Sequence, residues 1–81
     1  MIDRIRQVVR DHARLPIDVN ELEDNADLYQ AGMTSHASVG LMLALENAFD
    51  VEFPDSMLTR AVFQSISSIA EALSKLEVPA A

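Results

Sequence analysis

The chain has no cysteine. Disulfides, thiolate-held zinc and a cysteine nucleophile are thereby excluded, and any thiol chemistry must come from an attached group. No apolar run reaches the roughly 18 residues of a membrane span. Positive charge is scarce: six lysines and arginines stand against thirteen acids, for a net charge of −7. A body of that sign does not neutralise phosphates, which argues against nucleic-acid binding. The bases are also unevenly placed. Arg4, Arg6, Arg10 and Arg14 against Asp3 and Asp11 leave residues 1–14 at +2, while Arg60 and Lys75 face eleven acids in residues 15–81, or −9. The four arginines read as a solvated helix face, and the acidic remainder suits basic protein partners. Period-2 strands, repeats and low-complexity tracts are missing too.

What is present is apolar and helical in spacing. Hydrophobic residues make up 49% of 81 positions, enough for one small folded domain but not for a second one or a deep catalytic cleft. The domain is placed at residues 1–77, with residues 78–81 a flexible C-terminal tail. Met1-Ile2-Asp3-Arg4 interleaves charge with apolar groups, unlike a secretory leader, so a soluble cytoplasmic protein is expected. Ile2, Ile5, Val8, Val9, His12 and Leu15 form the stripe of an amphipathic first helix, with His12 packed on it and Pro16 stopping it. Residues 16–33 read as a long loop pinned by Ile17, Val19, Leu22, Leu28 and Tyr29, with a helical turn at 27–30 closed by Gly32. A second helix runs from about Ser35 to Phe49 on Leu41, Leu45 and Phe49. Pro54 and Asp55 suit a short third helix through Arg60. Ser65 or Ser68 caps a last helix that buries Ile66, Ile69, Ala70, Leu73 and Leu76. The fold class is all-α: a small four-helix bundle of three main helices, one short helix and a long first loop.

Ser35 stands at the mouth of the second helix. A serine there either caps the free N–H groups of the first turn or carries a covalent group, because a helix N-terminus favours an attached phosphate. Thr34 can serve as the cap and leave Ser35 free. Leu28-Tyr29-Gln30-Ala31-Gly32-Met33-Thr34-Ser35, then Leu41 to Pro54, then Phe63 to Ile69, together resemble the acyl and peptidyl carrier protein family over nearly the whole length. The resemblance implies that Ser35 is esterified by 4′-phosphopantetheine. The arm's thiol would carry acyl, peptidyl or aminoacyl groups between enzymes without catalysis by the carrier. It implies as partners a phosphopantetheinyl transferase, an acyl- or aminoacyl-loading ligase and downstream transferases. No metal and no membrane is implied, and a monomer is expected.

Two features depart from the family's pattern. Asp usually precedes the serine and Leu follows it; here Thr34 and His36 do. The second helix also lacks the family's row of carboxylates: its face reads His36, Ala37, Val39, Gly40, Leu43 and Asn47, with Glu46 the one acid before Asp50. Val39 and Leu43 are therefore either exposed docking contacts or core. If exposed, they join Thr34 and His36 as a partner-docking surface that works by shape and burial more than by charge. That surface points to a specialised system, such as a stand-alone carrier of amino acids, more than to bulk fatty-acid synthesis. The rival readings are an unmodified helical interaction module, an enzyme and a calcium site. Ser35 and His36 are adjacent on a helix and do not face each other, so they form no dyad. Asp18 and Asn20 begin like an EF-hand loop, but Leu22 and Glu23 break the ligand pattern.

Overall fold

In the computed structural model, which describes residues 2–76, the first apolar stripe becomes helix α1, Ile2–His12. Ile5 and Val9 are fully buried on its inner face. The helix stops earlier than Pro16 requires. Arg14 takes a left-handed backbone, φ 55°, after the Ala13 N–H has donated to the Val9 carbonyl at 2.9 Å. Leu15 consequently lies in the loop. His12 is exposed, not packed, because fully buried Ala13 takes the next inward position after Ile5 and Val9.

Helix α2, Ser35–Phe49, buries Ala37, Leu41 and Leu45. Ala37, expected on the outer face, belongs to the core. The helix ends at Asp50, whose left-handed backbone (φ 52°) returns its N–H to the Glu46 carbonyl. The Glu46 carboxylate accepts the Phe53 N–H at 2.8 Å, which turns the chain inward, and Phe53 meets Phe63 edge-on at 5.3 Å. The anticipated helix over 54–60 is two pieces instead: a 3-10 turn at Asp55–Met57 and helix α3, Arg60–Phe63. Extended Thr59 (φ −124°, ψ 157°) divides them. Helix α4, Ile66–Leu76, follows at once. Its start is a reciprocal cap, in which the Ser68 N–H donates to Ser65 Oγ and the Ser65 N–H to Ser68 Oγ, both at 3.0 Å.

Helix α1 packs against both α2 and α4, and α3 packs on α4. Ile5, Val9, Leu41, Leu45, Ile66, Ile69 and Leu73 fill the centre, all fully buried. The long first loop is held down by buried Val19, Leu28 and Met33, whereas Ile17 is exposed and pins nothing. Arg6 is the loop's polar anchor. It donates to the Val19 and Leu22 carbonyls at 2.7 and 2.6 Å and pairs with Asp24 at 2.7 Å. Arg10 donates to Asn20, and Arg4 donates to the Ala48 carbonyl and covers the Phe49 ring. These arginines thus tie elements together and are not merely solvated. The domain end at residue 77 and the tail at 78–81 fall outside the described residues. Among the described residues there is no strand, and no helix is long and apolar enough to cross a membrane.

Candidate functional site

The approach to α2 is a turn built from its own polar groups. Asp27 Oδ1 accepts the N–H groups of Tyr29 and Gln30 at 2.9 and 3.2 Å. Its other oxygen accepts from the Gln64 side chain. The Leu28 N–H donates to the Gln64 carbonyl at 2.7 Å, and the Met33 N–H closes the turn on the Leu28 carbonyl at 3.0 Å. Leu28 and Met33 are both buried, so the turn is anchored at each end. Gly32 makes its last bend with φ +121°, and a Cβ there would lie 2.7 Å from Pro16 Cδ. This frame fixes where α2 begins.

Thr34 takes the capping role. Its backbone is extended and its Oγ1 accepts the Ala37 N–H at 3.0 Å. Ser35 is therefore the first helical residue. It is exposed, and no hydrogen bond within the described residues claims its hydroxyl. Its carbonyl accepts from Ser38 Oγ at 2.7 Å. Beside it opens a groove of about 280 Å³, walled by Tyr29, Val39, Met42, Leu58 and Phe63, with Arg60 at the same groove. The Arg60 guanidinium lies 4.3 Å from the Tyr29 ring centroid. A phosphate-linked arm fits these surroundings. The Ser35 hydroxyl is free, the first-turn N–H groups and helix dipole favour an anion, and the adjoining wall is largely apolar for the uncharged remainder of such an arm.

The sequence-predicted residues divide between two surfaces. Val39 shares the groove with Ser35 and is 53% exposed; Leu43, also 53% exposed, lies further along α2. Both are thus at the surface. Thr34 and His36 instead line a second groove, with His12, Arg14 and Gly40. His36 is exposed there, away from the groove that holds Ser35. No Asp, Glu, Lys or Arg occurs from Ser35 to Leu45, and the Glu46 carboxylate is occupied by Phe53. Sequence reading missed Met42, Leu58 and Arg60 as site residues. Their one signal in the sequence was Arg60, an isolated base in an acidic stretch.

Known proteins resemble this chain in sequence and in fold. The sequence profile described as "Phosphopantetheine attachment site" matches residues 3–73. An aminoacyl carrier protein of Agrobacterium fabrum is 49% identical over 67 residues, which cover 83% of this chain and 81% of that protein. Among solved structures, the fold matches a chain from the crystal structure of an engineered Bradyrhizobium japonicum glycine:[carrier protein] ligase complexed with carrier protein from Agrobacterium tumefaciens and AMP. That match has a TM-score of 0.89 and 46% identity, and covers 91% of this chain and 99% of the other. The solution structure of an A. tumefaciens protein matches with a TM-score of 0.74 and 45% identity, over 93% of this chain and 90% of the other. A profile match that spans almost all of the described residues, on an all-helical fold shared with carrier-protein structures, shows that the chain belongs to the acyl and aminoacyl carrier proteins, a family of carriers, not catalysts, that bear 4′-phosphopantetheine.

Proposed function

We propose that Ser35 bears the 4′-phosphopantetheine arm and that amino acids ride on the arm's thiol as thioesters, in a specialised system and not in bulk fatty-acid synthesis. The observation that carries this reading is the exposed Ser35 hydroxyl, left unclaimed because Thr34 makes the cap. The aminoacyl cargo is supported by the 49% identical aminoacyl carrier and by the solved relative associated with a glycine ligase. In this reading the Ser35 oxygen attacks the arm-side phosphorus of coenzyme A: the Ser35 O–P ester bond forms as the pyrophosphate P–O bond breaks, the hydroxyl proton is given up and adenosine 3′,5′-bisphosphate leaves, a step run by a phosphopantetheinyl transferase. A loading ligase then charges the arm and downstream transferases unload it. The protein's own contribution is to tether the cargo and so raise its local concentration at each partner.

Docking of these enzymes spans both surfaces, with Val39 at the Ser35 groove and Leu43 further along α2 on one and Thr34 and His36 in the second groove on the other. The chain acts as a cytoplasmic monomer. Its uncharged α2 face suits partners that meet it through apolar burial and not through a basic patch.

The test is intact mass after incubation with coenzyme A and a broad-specificity phosphopantetheinyl transferase. Wild type is expected to gain one arm, and Ser35→Ala none, with helix content unchanged because the Thr34 cap persists. An arm on the alanine variant would overturn the assignment. Charging of the armed protein by an ATP-dependent glycine ligase, seen as one further glycine by mass, checks the cargo class.

A further inference from the structure

Residues 15–81 contain two basic side chains against eleven acids. Lys75 lies 3.7 Å from Glu71, one turn away on α4. Arg60 has no carboxylate partner among the described residues. In a protein of net charge −7, a guanidinium left without an acid invites an anion from elsewhere. Its position is set by another contact, the Tyr29 ring 4.3 Å below it. Tyr29 is itself held, through its N–H, by Asp27. No hydrogen bond among the described residues takes up the Arg60 N–H donors, which stay available for a further acceptor. Arg60 lines the groove that also holds Ser35.

We propose that Arg60 is a positioning residue that binds the phosphodiester of the arm on Ser35 and lays the arm along the apolar groove. The inference rests on the reading that Ser35 bears the arm. A guanidinium edge matches two phosphate oxygens at once, with charge-assisted hydrogen bonds. Val39, Met42, Leu58 and Phe63 then border the arm's uncharged part. Arg60 is exposed, so its replacement removes this contact without opening the core.

The experiment compares apo and holo protein by NMR, after mass has shown whether one arm is present. The Arg60 Nε–H resonance is expected to shift on conversion to the holo form and to stay fixed in transferase-treated Ser35→Ala. The phosphorus-31 resonance of the holo protein is expected to move in Arg60→Gln and to move less in Arg60→Lys, with melting temperatures equal to wild type. An unmoved Arg60 Nε–H on a protein that has gained its arm overturns the inference while the carrier reading stands. Failure to gain an arm overturns both. Should Arg60→Gln fold poorly, the apo–holo comparison on wild type alone decides. The same Nε–H shift on adding inorganic phosphate or coenzyme A to Ser35→Ala would mark a site for free anions and overturn the assignment to the tethered arm.

Discussion

Gly32 is the residue on which the placement of Ser35 depends most directly. Its φ of +121° is a conformation that side chains rarely adopt, and a Cβ would meet Pro16 Cδ at 2.7 Å. Neither problem is relieved by a rotamer change, since both involve the first side-chain atom. Backbone held in such a region costs a non-glycine residue about 1–3 kcal/mol, and the ring contact adds to that. Gly32→Ala is therefore expected to lower stability by at least that range, visible as a lower denaturant midpoint at unchanged slope. Arm attachment to Ser35 should slow as well, because the turn that presents it must shift. Ser35 itself has the opposite character: its hydroxyl supports nothing else, and so is available for chemistry.

At the scale of elements, α2 has two faces with different tasks. Leu41 and Leu45 are fully buried, whereas Val39 and Leu43 are each 53% exposed. Leu43→Glu is expected to change stability by less than about 0.5 kcal/mol, as for other surface sites, while weakening the complex with a loading ligase severalfold by calorimetry. A large fall in melting temperature would place Leu43 in the core instead. This division was not legible in the sequence, and the reason is physical. From Ala37 to Leu45 the helix is apolar or small on every side, so no polar stripe marks its outer face. Helices α1 and α4 were legible because their polar and apolar positions alternate at helical spacing. The loop's anchoring was not, since it depends on Arg6 reaching carbonyls thirteen and sixteen residues away. Nor was the groove, which brings Tyr29, Val39 and Leu58 together from three separate segments. The placement of Ser35 was legible because it is local: a turn, a cap and the first residue of a helix.

For the whole molecule, net charge and docking surface point in different directions. The chain carries −7, which by itself would favour steered encounter with basic partners. Four of the thirteen acids already make contacts within the fold. Asp24 pairs with Arg6, Asp27 caps the turn before α2, Asp18 caps the 3-10 turn at Val19–Glu21, and Glu46 holds Phe53. The face that carries Val39 and Leu43 has no carboxylate from Ser35 through Leu45. Charges beyond the Debye length are screened, and that length shrinks from about 30 Å at 0.01 M salt to about 8 Å at 0.15 M. A docking event driven by apolar burial feels this change weakly, whereas steered association speeds encounter by about tenfold or more at low salt and loses that gain steeply as salt rises. Stopped-flow measurement of ligase association across that salt range is therefore expected to show an on-rate that falls by less than about threefold. A tenfold or larger fall would mean that the loop acids, and not the α2 face, guide the partner in. The same series on Leu43→Glu separates the cases further. Loss of burial at the docking face should appear chiefly in a faster off-rate, since related complexes differ mostly in how quickly they come apart.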